Sequence, residues 1–203
     1  MPYSLIFAFA RTVISGALFM RTEVHVHGTI HLRPDVQLTD INQALQPWLE
    51  YLDVGSIEDA GSIHHDEMGI YFDSRGRVLD ICWSGEVGRS FGSQVEPAIR
   101  GLCPLSEAAA EIEISYYDDD GNDEMNIVFV GPTPASIHEA QRRRMTQDVS
   151  DLLARHFDNP AINEVVTLLN DLFRRDWLKH SQNGSDDFSD TDAMPPSGRR
   201  QLH

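Results

Sequence analysis

Residues 23–32 read Glu23-Val24-His25-Val26-His27-Gly28-Thr29-Ile30-His31-Leu32. Val24, Val26, Ile30 and Leu32 share one parity, with Gly28 in the same register. Glu23, His25, His27, Thr29 and His31 share the other. Strict alternation over this length predicts a strand with one face in a core and one polar face. Arg33-Pro34-Asp35 ends it, because proline lacks the amide a ladder needs and bends the chain.

Downstream, Ile41, Leu45, Trp48, Leu49 and Leu52 form an apolar stripe at helical spacing, with Thr39 or Asp40 as the expected cap. Pro47 inside the stripe should kink this helix or split it. Residues 53–62 read as a loop. Met68, Ile70 and Phe72 alternate, as do Leu79, Ile81 and Trp83, and Asp73-Ser74-Arg75-Gly76 between them predicts a hairpin turn in which Gly76 is able to take a positive φ. The first arm has scope to reach back to Ile63. Residues 85–92 form a glycine-rich connection. Ser93-x-x-Glu96 has the pattern of a capping box opening a helix, with Pro97 in its first turn. A second hairpin pairs Ile112, Ile114 and Tyr116 with Met125, Ile127 and Phe129 across the acidic tip 118–123. The period then changes to 3.6. One helix is expected from about Ser136 through Leu153, and a second after Asp158-Asn159-Pro160, carrying Ile162, Val165, Val166, Leu169, Leu172, Phe173 and Trp177.

The expected order is β-α-β-β-α-β-β followed by a helical hairpin, an α+β fold. Its first six elements resemble the ferredoxin-like β-α-β-β-α-β pattern, with one extra antiparallel strand. The resemblance is one of element order and carries no function with it. The domain is expected over residues 20–180. Residues 181–203, rich in Ser, Asp, Gly and Pro, read as a disordered acidic tail. Residues 1–19, from MPYSLIFAFARTVISGALF, are apolar but interrupted by Arg11 and lack a basic start. Translation beginning at Met20 is the leading reading; a signal peptide cleaved near Ser15-Gly16-Ala17, or an anchor, are the alternatives.

Composition narrows function. The chain has 203 residues, 32 acids against 16 bases and a formal net charge of −16. A field of that sign repels nucleic-acid phosphate and anionic lipid and favours cationic partners, metals included. No nucleic-acid partner is expected, and no membrane contact unless residues 1–19 are a real signal or anchor. Lys179 is the only lysine, a usage that fits a GC-rich bacterial genome. Cys82 and Cys103 form no CxxC pair, and two thiols in a chain this long read as reduced and cytoplasmic.

The sharpest candidate site is the polar face of the first strand. His25 and His27 lie about 7 Å apart at their Cα atoms, because alternate residues of a strand share a face. His31 lies farther along the same side, and His65 and Glu67, Asp80 and Cys82, and Glu111 and Glu113 are expected from the other strands. Imidazole with carboxylate or thiolate suits zinc or another borderline divalent transition metal. The candidate metal ligands are therefore His25, His27, His31 and His65, with Asp80 and Cys82. The competing reading is a solvated face, or one covered by the C-terminal helices over neutral imidazoles. His64 and His65 point to opposite faces if their segment is strand and act together only if it is loop. Gly85-x-x-Gly88-x-x-x-Gly92 fits neither nucleotide fingerprint, and the acidic hairpin tip lacks EF-hand spacing. Arg142-Arg143-Arg144 offers partners for acids of the same chain or of another subunit. With no nucleophile elbow or activated cysteine, the expected function is a non-enzymatic binding or regulatory module with a protein partner or homodimer. A small metal-binding protein or metal-dependent enzyme built on the histidine face is the alternative.

Overall fold

A computed structural model describes residues 22–117 and 123–183. The expectations for residues 1–19, most of the acidic tip and residues 184–203 fall outside these. The elements are β1 (Thr22–His31), α1 (Leu38–Ala44), α2 (Gln46–Tyr51), β2 (Gly69–Asp73), β3 (Val78–Val87), α3 (Phe91–Gly101), β4 (Ala110–Tyr117), β5 (Glu124–Val130), α4 (Pro134–Leu153) and α5 (Asn159–Asn183). Short 3₁₀ turns sit at Ile57–Asp59 and Cys103–Leu105.

The five strands form one antiparallel sheet in the order β2-β3-β1-β4-β5. A mixed α+β fold with an antiparallel sheet is what the structure has. Its five-strand order is not the four-strand order of a ferredoxin-like sheet. The first helix is also divided at Leu45, with Pro47 in the first turn of α2, where its missing amide costs nothing.

One sheet face makes the core. Val24, Val26 and Ile30 of β1 and Leu79, Ile81 and Trp83 of β3 are buried there with Ile112 and Ile114 of β4, beneath α1, α2 and α3. Trp83 stacks on Phe91 with ring centroids 5.6 Å apart and meets Trp48 edge-on at 5.4 Å. Trp83 Nε1 donates to the Gly61 carbonyl at 3.0 Å, which satisfies its one polar atom. Gly28 sits in the middle of this face because nothing larger fits. A Cβ there would lie 2.4 Å from Ile112 Cδ1 and 2.6 Å from the Glu111 carbonyl oxygen.

Five local expectations are corrected. The helix cap is Gln37 rather than Thr39 or Asp40; Asp40 stands three residues in and accepts the Gln37 amide at 2.8 Å. β3 continues through Val87, since Val24 pairs with Gly85 and Thr22 with Val87, so the glycine-rich connection shrinks to a few residues. α3 begins at Phe91 behind Ser90, and the Ser93/Glu96 capping box does not form. Burial of Phe91 against two tryptophans draws the helix start forward, which leaves Pro97 inside the helix. In the β2–β3 turn the positive φ, 56°, belongs to Arg77 rather than Gly76. β5 buries Val128 and Val130, the opposite parity to the one expected, because its register puts Val128 across from Ile112. Ile127 and Phe129 therefore lie on the polar face, opposite Glu113 and Glu111.

The C-terminal helices form the expected hairpin, with α4 opening at a Thr133 cap and Pro134 rather than at Ser136. α4 lies along β4 and β5, and α5 packs along α4. His138 of α4 fits between Phe173 and Trp177 of α5, at 5.3 and 4.9 Å between ring centroids. α5 extends to Asn183, so residues 181–183 are helical rather than part of the expected tail. Among the described residues no helix is long and apolar enough to cross a membrane.

Candidate metal centre

β1 lies between β3 and β4, so its polar face is flanked on both sides. His25 stands opposite Ser84 and Ser115, and His27 opposite Cys82 and Glu113. The segment between α2 and β2 completes the site. It is not strand before Gly69; it is a loop pinned to β3 where the Ile63 amide donates to the Ser84 carbonyl at 3.0 Å. The Ser84 amide in turn donates to Ser62 Oγ at 2.9 Å. This anchoring carries His64 and Glu67 over the end of β1.

Three side chains converge there. His25 Nε2 lies 2.9 Å from Glu23 Oε1, and His64 Nε2 lies 3.1 Å from the same oxygen. One ligand atom from each lies within 4.8 Å of the others. The far nitrogen of His25, Nδ1, is 3.7 Å from Glu67 Oε1. Glu67 Oε2 accepts hydrogen bonds from the hydroxyls of Ser62 and the fully buried Ser84. Tyr117 packs edge-on against the His25 ring at 5.0 Å and limits its tilt.

The electrostatics follow from these contacts. Hydrogen bonds from His25 and His64 hold the Glu23 carboxyl below the usual carboxylate range. Burial opposes ionisation of Glu67, but the Ser62 and Ser84 hydroxyls, with His25 and His64 behind them, outweigh it and hold its pKa down as well. Both carboxylates are thus anionic at neutral pH. A neutral imidazole has only one N–H, so His25 cannot donate to Glu23 and Glu67 together. The Nε2–Glu23 contact is a hydrogen bond, whereas Nδ1 at 3.7 Å from Glu67 is beyond hydrogen-bond reach and leaves that nitrogen set against a carboxylate. Around a tetrahedral ion with bonds near 2.1 Å, neighbouring ligand atoms are about 3.4 Å apart. The His25–Glu23 and His64–Glu23 separations need to open by only a few tenths of an ångström.

The structure distributes the sequence candidates unevenly. His25 is in the cluster. His27 and Cys82 are cross-strand partners bordering a hollow of about 230 Å³ beside it, together with Glu67, Glu113 and Tyr117. Asp80 accepts a hydrogen bond from Thr29 Oγ1 at 2.7 Å, four residue pairs along the ladder from His25. His31 is exposed at the far end of β1, opposite Val78. His65 is exposed, and it is His64 that reaches Glu23. The sequence named Glu23 and His64 on the polar face and in the loop but did not join them. Only the choice between strand and loop for residues 62–68 separates the two histidines.

The remaining polar motifs are spent elsewhere. The Gly88 amide donates to Tyr51 Oη at 2.8 Å, and Gly85 lies in β3 under the Trp83 ring. Arg144 binds Glu111 at 2.8 Å and Asp148 at 2.9 Å, so this part of the arginine triplet pairs within the chain. A larger hollow of about 460 Å³ along β2 is bordered by Met68, Ile70, Tyr71 and Phe72. Its one arginine, Arg77, is already donating to the carbonyls of Arg33 and Val36.

Comparison with curated proteins and with solved structures gives no match. A family model covering residues 22–174, from the first residue of β1 into α5, does match. The chain belongs to that family, described as a family of unknown function (DUF6806).

Proposed function

We propose that the protein is a divalent-metal-binding module whose ion is held by Glu23, His25 and His64. The observation that supports this is the convergence of two imidazole nitrogens on one carboxylate oxygen, with the far nitrogen of His25 set against Glu67. A carboxylate behind a ligating histidine fixes its tautomer and orientation, and Glu67 is itself held by two serine hydroxyls. Three protein ligands on a partly exposed face leave positions for water or an exogenous ligand. Zinc or a neighbouring first-row ion suits two nitrogens and one oxygen.

Calorimetric titration of metal-free protein with Zn²⁺ tests the reading. Zn²⁺ should bind, and His25→Ala or His64→Ala should each remove one equivalent. At a free ion concentration one hundred times Kd, binding stabilises the fold by about 2.7 kcal/mol. Wild type that takes up no Zn²⁺, Co²⁺ or Ni²⁺, or that binds equally well after both substitutions, overturns the proposal.

A second reading, a non-enzymatic protein-binding or self-associating module of a bacterial cytosol, draws on one observation. Leu152 and Phe157 at the turn of the hairpin, and Leu168, Leu172 and Leu178 along α5, are exposed. The ferredoxin-like description of residues 22–117 belongs to the same set of proposals. Its support is that β1 lies between β3 and β4, antiparallel to both.

A further inference from the structure

Next to the imidazole cluster, three strands present one transverse row of side chains: Cys82 of β3, His27 of β1 and Glu113 of β4. All three border the 230 Å³ hollow, with Glu67 on its rim. We infer that this hollow is a second cation position, specific for a thiophilic divalent ion, with Cys82 Sγ and a His27 ring nitrogen as its anchoring ligands. Directly opposed residues of an antiparallel pair have Cβ atoms about 4.5–5.5 Å apart, a span that a thiolate and an imidazole close around one ion by rotation about χ1 and χ2. Glu113 beside His27 supplies an oxygen donor, directly or through water, and water completes the set.

The surroundings fit a cation better than a bare thiolate. Burial, and then the carboxylates of Glu67 and Asp66, push the Cys82 thiol pKa up. A divalent ion held here would offset the local negative field of these carboxylates. Binding breaks the S–H bond, forms a metal–sulfur bond and releases one proton to solvent. Nitrogen and sulfur together select Zn²⁺, Co²⁺ or Cd²⁺ over Mg²⁺ or Ca²⁺. This inference rests on the β3–β1–β4 row and its hollow, not on the Glu23 cluster, and the two are tested apart.

Titration of the full metal-free chain with Co²⁺ separates them, because a thiolate ligand adds a near-ultraviolet charge-transfer band that histidine and carboxylate do not. The expected result is two equivalents, one of them developing the band. Cys82→Ser and His27→Ala should each remove the band and one equivalent. His25→Ala with His64→Ala should remove the other equivalent and keep the band. A variant-free readout uses wild type: at a Zn²⁺ concentration ten times Kd, alkylation of Cys82 should slow roughly tenfold while Cys103 is unaffected. One equivalent without the band overturns this inference and leaves the first centre standing. A band that survives Cys82→Ser, or alkylation of Cys82 indifferent to Zn²⁺, overturns it as well. A band with one equivalent that persists in the His25/His64 variant supports this inference and overturns the first centre.

Discussion

Glu67→Gln is the most informative single substitution, because it keeps the shape of the side chain and removes only its charge. In the wild type the carboxylate accepts from Ser62 Oγ and Ser84 Oγ, and Ser84 is fully buried. A hydrogen bond to a charged acceptor contributes about 1.5–3 kcal/mol and one to a neutral acceptor about 0.5–1.5 kcal/mol. Two such bonds that share an acceptor are not fully additive, so the loss should be about 2 kcal/mol. For a domain of this size that lowers Tm by roughly 4–8 °C. Urea denaturation followed through Trp48 and Trp83, both in the core, reads the difference directly. The pH dependence has a defined sign. The folded-state pKa of Glu67 is depressed, so its contribution is present above the ordinary carboxylate pKa and is lost as pH falls through the lower, folded value. The gap between wild type and Glu67→Gln should therefore be full at pH 7 and close progressively below about pH 4.3. If Glu67 also orients His25 toward an ion, the same variant should bind Zn²⁺ about 10–100-fold more weakly. A stability difference under about 0.5 kcal/mol, the scale of an ordinary surface change, would refute the buttress. So would a gap of constant size from pH 7 to pH 3.

Three further outcomes are expected. Gly28→Ala drives a methyl group into Ile112 Cδ1 and the Glu111 carbonyl, and should cost about 1–3 kcal/mol in denaturant melts; an unchanged midpoint would show that β1 and β4 separate more freely than their packing implies. Phe91→Ala empties the space between Trp48, Trp83 and Tyr51 and should cost about 3–5 kcal/mol, with a change in tryptophan emission; a loss below 1 kcal/mol counts against this cluster as the centre of the core. Truncation after Asn159 removes Phe173 and Trp177 from His138 and uncovers one side of α4. Size-exclusion chromatography should show association, while near-ultraviolet circular dichroism keeps the Trp48–Trp83 signal. A monodisperse truncated monomer would show α5 to be a free appendage.

What the sequence settled by itself was local periodicity. The alternation from Glu23 to Leu32 specifies a half-buried strand because a one-residue slip would move every apolar side chain into water. Pro47 divides the first helix because a ring without an N–H fits only a first helical turn. The helical hairpin follows from a 3.6-residue period interrupted at Asp158-Asn159-Pro160. Tertiary structure decided where more than one local solution was open. β5 carries apolar residues on both parities, so alternation could not choose its core face; pairing of Val128 with Ile112 did. The start of α3 depended on how Phe91 packs against Trp83 and the distant Trp48, which no capping pattern encodes. The candidate site divides the same way. That His25 and His27 share a polar face with Glu23 is written in the period of one strand. That His64 rather than His65 reaches them, with Glu67 behind, depends on a loop held to β3 through Ser62, Ile63 and Ser84. Those contacts join residues some twenty positions apart in sequence, and only the folded chain brings their hydrogen-bonding groups within reach of each other.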